Sequence, residues 1–123
     1  MSSQIDSFTN AIVRCLVFIE LAPYWEDYKN MVFTNTDIER ISARVKTVNI
    51  ELDDEHLRAE IIKFYNCLKT DWNIGISQVL NSIQLIDSGE KLNLHKILSE
   101  IVTSKERSNA GIEKALNLIT REI

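Results

Sequence analysis

Apolar residues recur along this chain at intervals of three and four, the spacing that lays them on one face of an α-helix. In the first run Ile5, Phe8, Ile12, Leu16 and Ile19 share a face and Ser7, Asn10 and Arg14 lie opposite, which predicts a helix over residues 3–22. Past Arg14 the run is apolar nearly all round, so its second half belongs at the centre of the fold. Pro23 then stops or kinks it, because proline has no amide hydrogen and pushes the preceding residue out of the α region.

A second helix is predicted from a capping box at Thr36 and Glu39, with Ile38, Ile41, Val45, Val48 and Leu52 on its inner face. Val48, Ile50 and Leu52 also alternate as a strand would, so helix is expected to Val48 and residues 49–52 stay open between helix, strand and loop. Asp53 is expected to cap a third helix, with Asp54 and Glu55 in its first turn and Leu57, Ile61, Phe64 and Leu68 inward. The stretch TDWNIG, residues 70–75, breaks or kinks the chain. Ile76, Val79, Leu80, Ile83 and Ile86 then mark a fourth helix ending at Ser88 and Gly89, with Gly89 as the residue just past its end. Asn93 is expected to cap a fifth, carrying Leu94, Ile97, Leu98 and Ile101, and Ile112, Ala115, Leu116, Ile119 and Ile123 mark the last. Between these two, Lys105 and Ser108 fall where the phase requires apolar residues, so residues 104–111 read as a loop or a solvent-bridging stretch.

One proline and three glycines in 123 residues are too few turn formers for a fold of many short strands. The expectation is a single all-α domain, residues 1–123, built as a compact bundle of five or six antiparallel-type helices with short connections. A content of 45% apolar and 26% charged residues fits a globular domain with its own core. The longest apolar stretch, residues 11–22, is interrupted by Arg14 and Glu20 and falls short of the roughly 20 residues a membrane span needs. The first ten residues lack the basic region and cleavage site of a secretory signal, which leads to an expectation of a cytoplasmic protein. Cys15 and Cys67 stand in separate helical runs and read as reduced thiols.

The formal net charge of −4 equals the balance of residues 51–60 alone, ELDDEHLRAE, where five acids face one base. An acidic total argues against nucleic acid and anionic membrane as partners and favours a basic protein. Arg40, Arg44 and Lys46, and Lys105, Arg107, Lys114 and Arg121, are the residues a nucleic-acid reading would use, but each set reads equally as the solvated face of an amphipathic helix.

The residues of known chemistries are missing. His56 and His95 have no assignable nucleophile, and neither follows an arginine at the spacing of the small helical ribonucleases of the HEPN group. Asp53 and His56 have the spacing of a carboxylate-bridged metal motif, but its second copy is absent because Leu92 stands three before His95. There is no phosphate-binding glycine loop. No catalytic residue, metal or cofactor is therefore expected.

What remains is surface. Tyr24, Trp25, Glu26, Asp27 and Tyr28 place three aromatics and two acids in the turn after the first helix, the residue types that concentrate binding energy at interfaces. The competing reading is structural: Trp25 and one tyrosine pin the turn to the core while the other tyrosine faces outward. Glu51, Asp54, Glu55 and Glu60 form the second candidate, for steering a basic partner. Together these predict a non-enzymatic protein-binding module, of the type of an immunity protein or antitoxin that neutralises a basic, nuclease-like protein toxin. The alternatives are a small nucleic-acid-binding or regulatory adaptor, a secretion chaperone, a helical enzyme with a site at His56 or His95, and a homodimer joined through the apolar end of the first helix.

Overall fold

In the computed structural model the chain is an all-α bundle, with six helices and one 3₁₀ segment among its described residues. The structure describes residues 6–48, 52–104 and 110–123, the side chains of 101–104 and 110 excepted, and no strand occurs among them. Helix α1, Ser7–Leu21, is started by Asp6, whose carboxylate accepts from the Thr9 N–H at 2.7 Å. It is buried on nearly every side, Ala11 to Val13 and Cys15 to Ile19 included, and it touches every other helix. That is the central position its all-round apolarity requires. The same burial removes the expected dimer interface, because the apolar end of α1 is spent inside one copy of the chain. It also pushes the Cys15 thiol up to about 12, since the thiolate would have to form without water. Cys15 and Cys67 are both free thiols.

Pro23 ends α1 as expected. The chain continues as a 3₁₀ segment, Ala22–Asn30, interrupted at Asp27, where φ is −137° and ψ is 52°. Helix α2, Asn35–Val48, starts earlier than the sequence suggested. Its capping box is Thr34 with Asp37: the Thr34 hydroxyl accepts from the Asp37 N–H at 3.3 Å, and the Asp37 carboxylate accepts from the Thr34 N–H at 2.9 Å. Thr36 and Glu39 sit inside the helix instead. Ile38, Ile41 and Val45 are buried as expected, whereas Val48 is exposed at the helix end. Of the open stretch 49–52, Leu52 is buried and non-helical, and residues 49–51 lie outside the described residues.

Asp53 caps α3, Asp54–Thr70, accepting from the His56 N–H at 3.0 Å, and Leu57, Ile61, Phe64 and Leu68 are buried along it. The break predicted over residues 70–75 is one residue wide. Asp71 closes α3 by donating its N–H to the Cys67 carbonyl at 3.0 Å, and its carboxylate caps α4, Trp72–Gln84, through the N–H groups of Asn73 and Ile74. So sharp a corner presses the two helices together at Gly75, where a Cβ would lie 2.2 Å from Leu68 Cδ2.

The α4–α5 connection corrects the sequence reading. Asp87 and Glu90 form a reciprocal box, the Glu90 N–H donating to Asp87 Oδ1 at 2.8 Å and the Asp87 N–H to Glu90 Oε1 at 3.2 Å, so α5 runs over Ser88–Ser104. Gly89 therefore lies in the first turn of α5, with no positive φ, and Asn93 is an exposed interior position. Leu94 and Leu98 are buried along α5, and α6 spans Ala110–Glu122 with Ile112, Ala115 and Ile119 inward. Residues 105–109 lie outside the described residues, so the stretch between these helices is fixed only at its two ends.

A candidate protein-binding groove

Trp72 organises the end of the bundle where the 3₁₀ segment, the start of α4 and α6 meet. Its ring lies 5.5 Å from that of Phe18, tilted by 47°, and 6.0 Å from that of Tyr28 in a stacked arrangement. Tyr28 is thus the residue that pins the segment to the core, with Met31 buried just after it. Trp25 is not. It keeps 36% of its surface and Tyr24 keeps 40%, so the orientation expected for these aromatics is reversed for Trp25. The 3₁₀ geometry and the interruption at Asp27 account for this, because they turn the aromatics on either side of Asp27 to different neighbours.

Trp25 and Trp72 line an apolar groove of about 120 Å³. Phe18, Ala22 and Ile76 contribute to its lining from α1, the 3₁₀ segment and α4, and Ala115 and Leu118 from α6. At roughly 30 Å³ per water the volume equals about four waters, close to one aliphatic side chain. Lys114 also lines it and places its Nζ 4.1 Å from the centre of the Trp25 ring, a cation–π contact. On the segment itself Glu26 is exposed, and Asp27 accepts from the Asn30 side-chain amide at 2.8 Å. The sequence places Lys114 on a solvated face; the groove arises because α6 folds back onto α4 and the 3₁₀ segment, a pairing no local spacing encodes.

The acidic segment lies elsewhere. Helix α3 rises by about 24 Å from Asp54 to Thr70 at roughly 1.5 Å per residue, so the acids start at the end remote from Trp72. They are also divided around the helix. Asp53 serves the helix end, Asp54 pairs with Lys46 of α2, and Glu60, about 120° further round, lines a separate cleft with Arg14 and Lys63. Glu55 is exposed, and Glu51 lies outside the described residues.

The basic residues of α2 are largely engaged within the chain. Arg40 pairs with Glu20 and, at 3.2 Å, with Asp37, while Lys46 holds Asp54. Burial acts to raise the Asp37 pKa, but the Thr34 hydrogen bonds and the Arg40 charge outweigh it and hold the carboxyl below its ordinary value of 3.8. His56 is half-buried in the first turn of α3 and His95 is exposed on α5. No group of three or more potential metal ligands occurs among the described residues, and no helix among them is long and apolar enough to cross a membrane. No family model matches this chain, and no curated protein or solved structure matches it either.

Proposed function

We propose that this chain is a non-enzymatic protein-binding module, of the immunity-protein or antitoxin kind, that neutralises a basic protein by seating one of its apolar side chains in the aromatic groove. The observation that carries the reading is the exposure of Tyr24 and Trp25 beside an apolar groove, in a bundle whose other rings are buried or half-buried. Exposing aromatic surface forgoes about 25 cal/mol per Å² of burial, a loss a partner recovers by covering it. Glu26 and Asp27 beside Trp25 favour a partner whose anchor is flanked by lysine or arginine. In such a complex the partner's cation takes the place of Lys114 on the indole face.

The test begins with a photo-crosslinking amino acid at position 24 in the producing cell, to identify the partner. Its affinity is then measured by calorimetry against the parent and against Trp25→Ala and Tyr24→Ala. At least one variant weakens binding by more than about 1 kcal/mol while thermal stability stays near the parent's. Leu92→Ser, an exposed change on α5, leaves affinity unaltered. Equal affinities for all four proteins would reject the groove as the interface.

A further inference from the structure

Arg14 is the one basic residue inside the long apolar stretch of α1, and its surroundings give it a use separate from the groove. The guanidinium is half-buried between α1, α3 and α4, with its carbon 5.8 Å from the centre of the Phe64 ring. Its Nη1 donates to the Gln78 carbonyl at 3.1 Å and to Ser82 Oγ at 2.6 Å, and the Ser82 hydroxyl in turn donates to the same carbonyl at 2.8 Å. Both acceptors are neutral. No carboxylate lies within 4.0 Å of Arg14 among the described residues, so its charge has no ion-pair partner there.

The other edge of the guanidinium has no partner among the described residues. Nε and Nη2 make no hydrogen bond to them, and no buried side-chain nitrogen or oxygen among them lacks a partner, so these two donors reach the surface. Arg14 lines a cleft of about 110 Å³ with Asn10, Glu60, Lys63, Phe64, Cys67 and Gln78. The Nε–Nη2 edge carries two parallel N–H bonds, the geometry that takes both oxygens of a carboxylate or of a phosphate. Its partner edge is anchored by Gln78 and Ser82, so the fork is held in place before any ligand arrives.

We propose that this cleft binds a small aliphatic monocarboxylate, of the size of acetate to butyrate. Volume sets the size, since the cleft holds about four waters' worth of space at roughly 30 Å³ each. Charge sets the valence: Arg14 and Lys63 against Glu60 leave one net positive charge, which one monoanion neutralises. Glu60 also repels a second negative charge, which turns away sulfate and phosphate dianions. Phe64 and Cys67 supply apolar lining for a short alkyl chain.

The test follows the Arg14 Nε–H resonance of the ¹⁵N-labelled protein while sodium acetate or propionate is added at constant ionic strength, balanced with sodium chloride. A saturable shift on the order of millimolar is expected for both carboxylates, and sulfate and phosphate bind at least about tenfold more weakly. Lys63→Gln, an exposed change, weakens acetate severalfold, and Glu60→Gln tightens it and admits sulfate. In Arg14→Lys, which keeps the charge but loses the fork, the saturable component disappears from the neighbouring amide resonances. A shift that chloride reproduces, or saturation that persists unchanged in Arg14→Lys and Lys63→Gln, overturns the proposal.

Discussion

A methyl group added to Gly75 would lie 2.2 Å from Cδ2 of Leu68, the side chain that packs against it from the preceding helix. The Leu68 Cα would also lie at 3.3 Å, so rotating that side chain relieves only part of the clash. Gly75→Ala sets two effects against each other. Helix propensity favours alanine by about 1 kcal/mol, whereas overpacking a closed joint costs about 1–3 kcal/mol. The expected net result is destabilisation, read as a lower urea midpoint at unchanged slope. A raised midpoint would mean the α3–α4 corner opens without cost.

The helix caps give a paired test. Thr34→Ala removes a reciprocal cap and should cost about 0.5–2 kcal/mol, while Thr36→Ala, two residues into an exposed turn, stays within about 0.5 kcal/mol of the parent. Asp53→Ala and Asp71→Ala should each fall in the range of the first. Thermal or urea unfolding of the four variants suffices, and a reversed order of Thr34 and Thr36 would contradict the assigned start of α2.

Asp37 ties acid stability to one carboxylate. Its pKa lies below the ordinary 3.8 in the folded chain, so folding favours the ionised form. The resulting stability is complete above the unfolded value and is lost as pH falls through the folded one. As pH falls below about 4 the parent should lose stability more steeply than Asp37→Asn, whose stability is lower at neutral pH. Parallel curves for the two proteins would show that Asp37 carries no such linkage.

The two thiols should separate by reactivity. Cys15, fully buried and pushed up to about 12, should resist a thiol reagent at pH 8 until the chain unfolds, while half-buried Cys67 reacts in the native state. Cys15 labelling then reports global opening, and its rate should rise in Ile61→Ala, a buried truncation that costs about 2–5 kcal/mol. Labelling of Cys15 at the rate of a free thiol would place α1 at the surface.

The helical faces were legible in the sequence because periodicity needs no partner. Ile12, Ile41, Leu57, Ile61 and Ile83 all fell inward as their spacing required. Caps were legible in kind and less so in position: Asp53 caps α3 as the sequence predicts, while the box predicted at Thr36 and Glu39 lies at Thr34 and Asp37, whose aspartate has the shorter reach and the weaker signature. Gly89 misled for a related reason, since glycine marks helix ends by its left-handed conformation and here it has none. The acidic segment shows a different limit. Neighbours in sequence are about 100° apart on a helix, so Asp54 and Glu60 look like one patch in the sequence, whereas in the fold Asp54 pairs with Lys46 and Glu60 lines the Arg14 cleft. Arg14 stands in the sequence only as one of two charges interrupting an apolar run, because its role depends on Gln78 and Ser82, more than sixty residues away.

Electrostatic steering can be separated from anchoring. Glu26→Gln, an exposed change beside Trp25, should slow association with a basic partner and leave dissociation nearly unchanged, while Glu55→Gln, at the far end of α3, should alter neither. The deficit should shrink as salt shortens the screening length from about 10 Å at 0.1 M. Association rates indifferent to both mutation and salt would remove charge from the recognition mechanism.

The most direct test of the groove itself is the dissociation rate of the crosslink-identified partner from the parent and from Trp25→Ala, measured side by side at one salt concentration. Trp25 keeps 36% of its surface in the free chain and packs the rest against the groove, so its truncation costs some stability and both proteins are compared well below their unfolding midpoints. The expected result is dissociation faster by a factor of about ten, the equivalent of roughly 1.4 kcal/mol. Equal dissociation rates from two fully folded proteins would contradict the groove as the place where the partner is held.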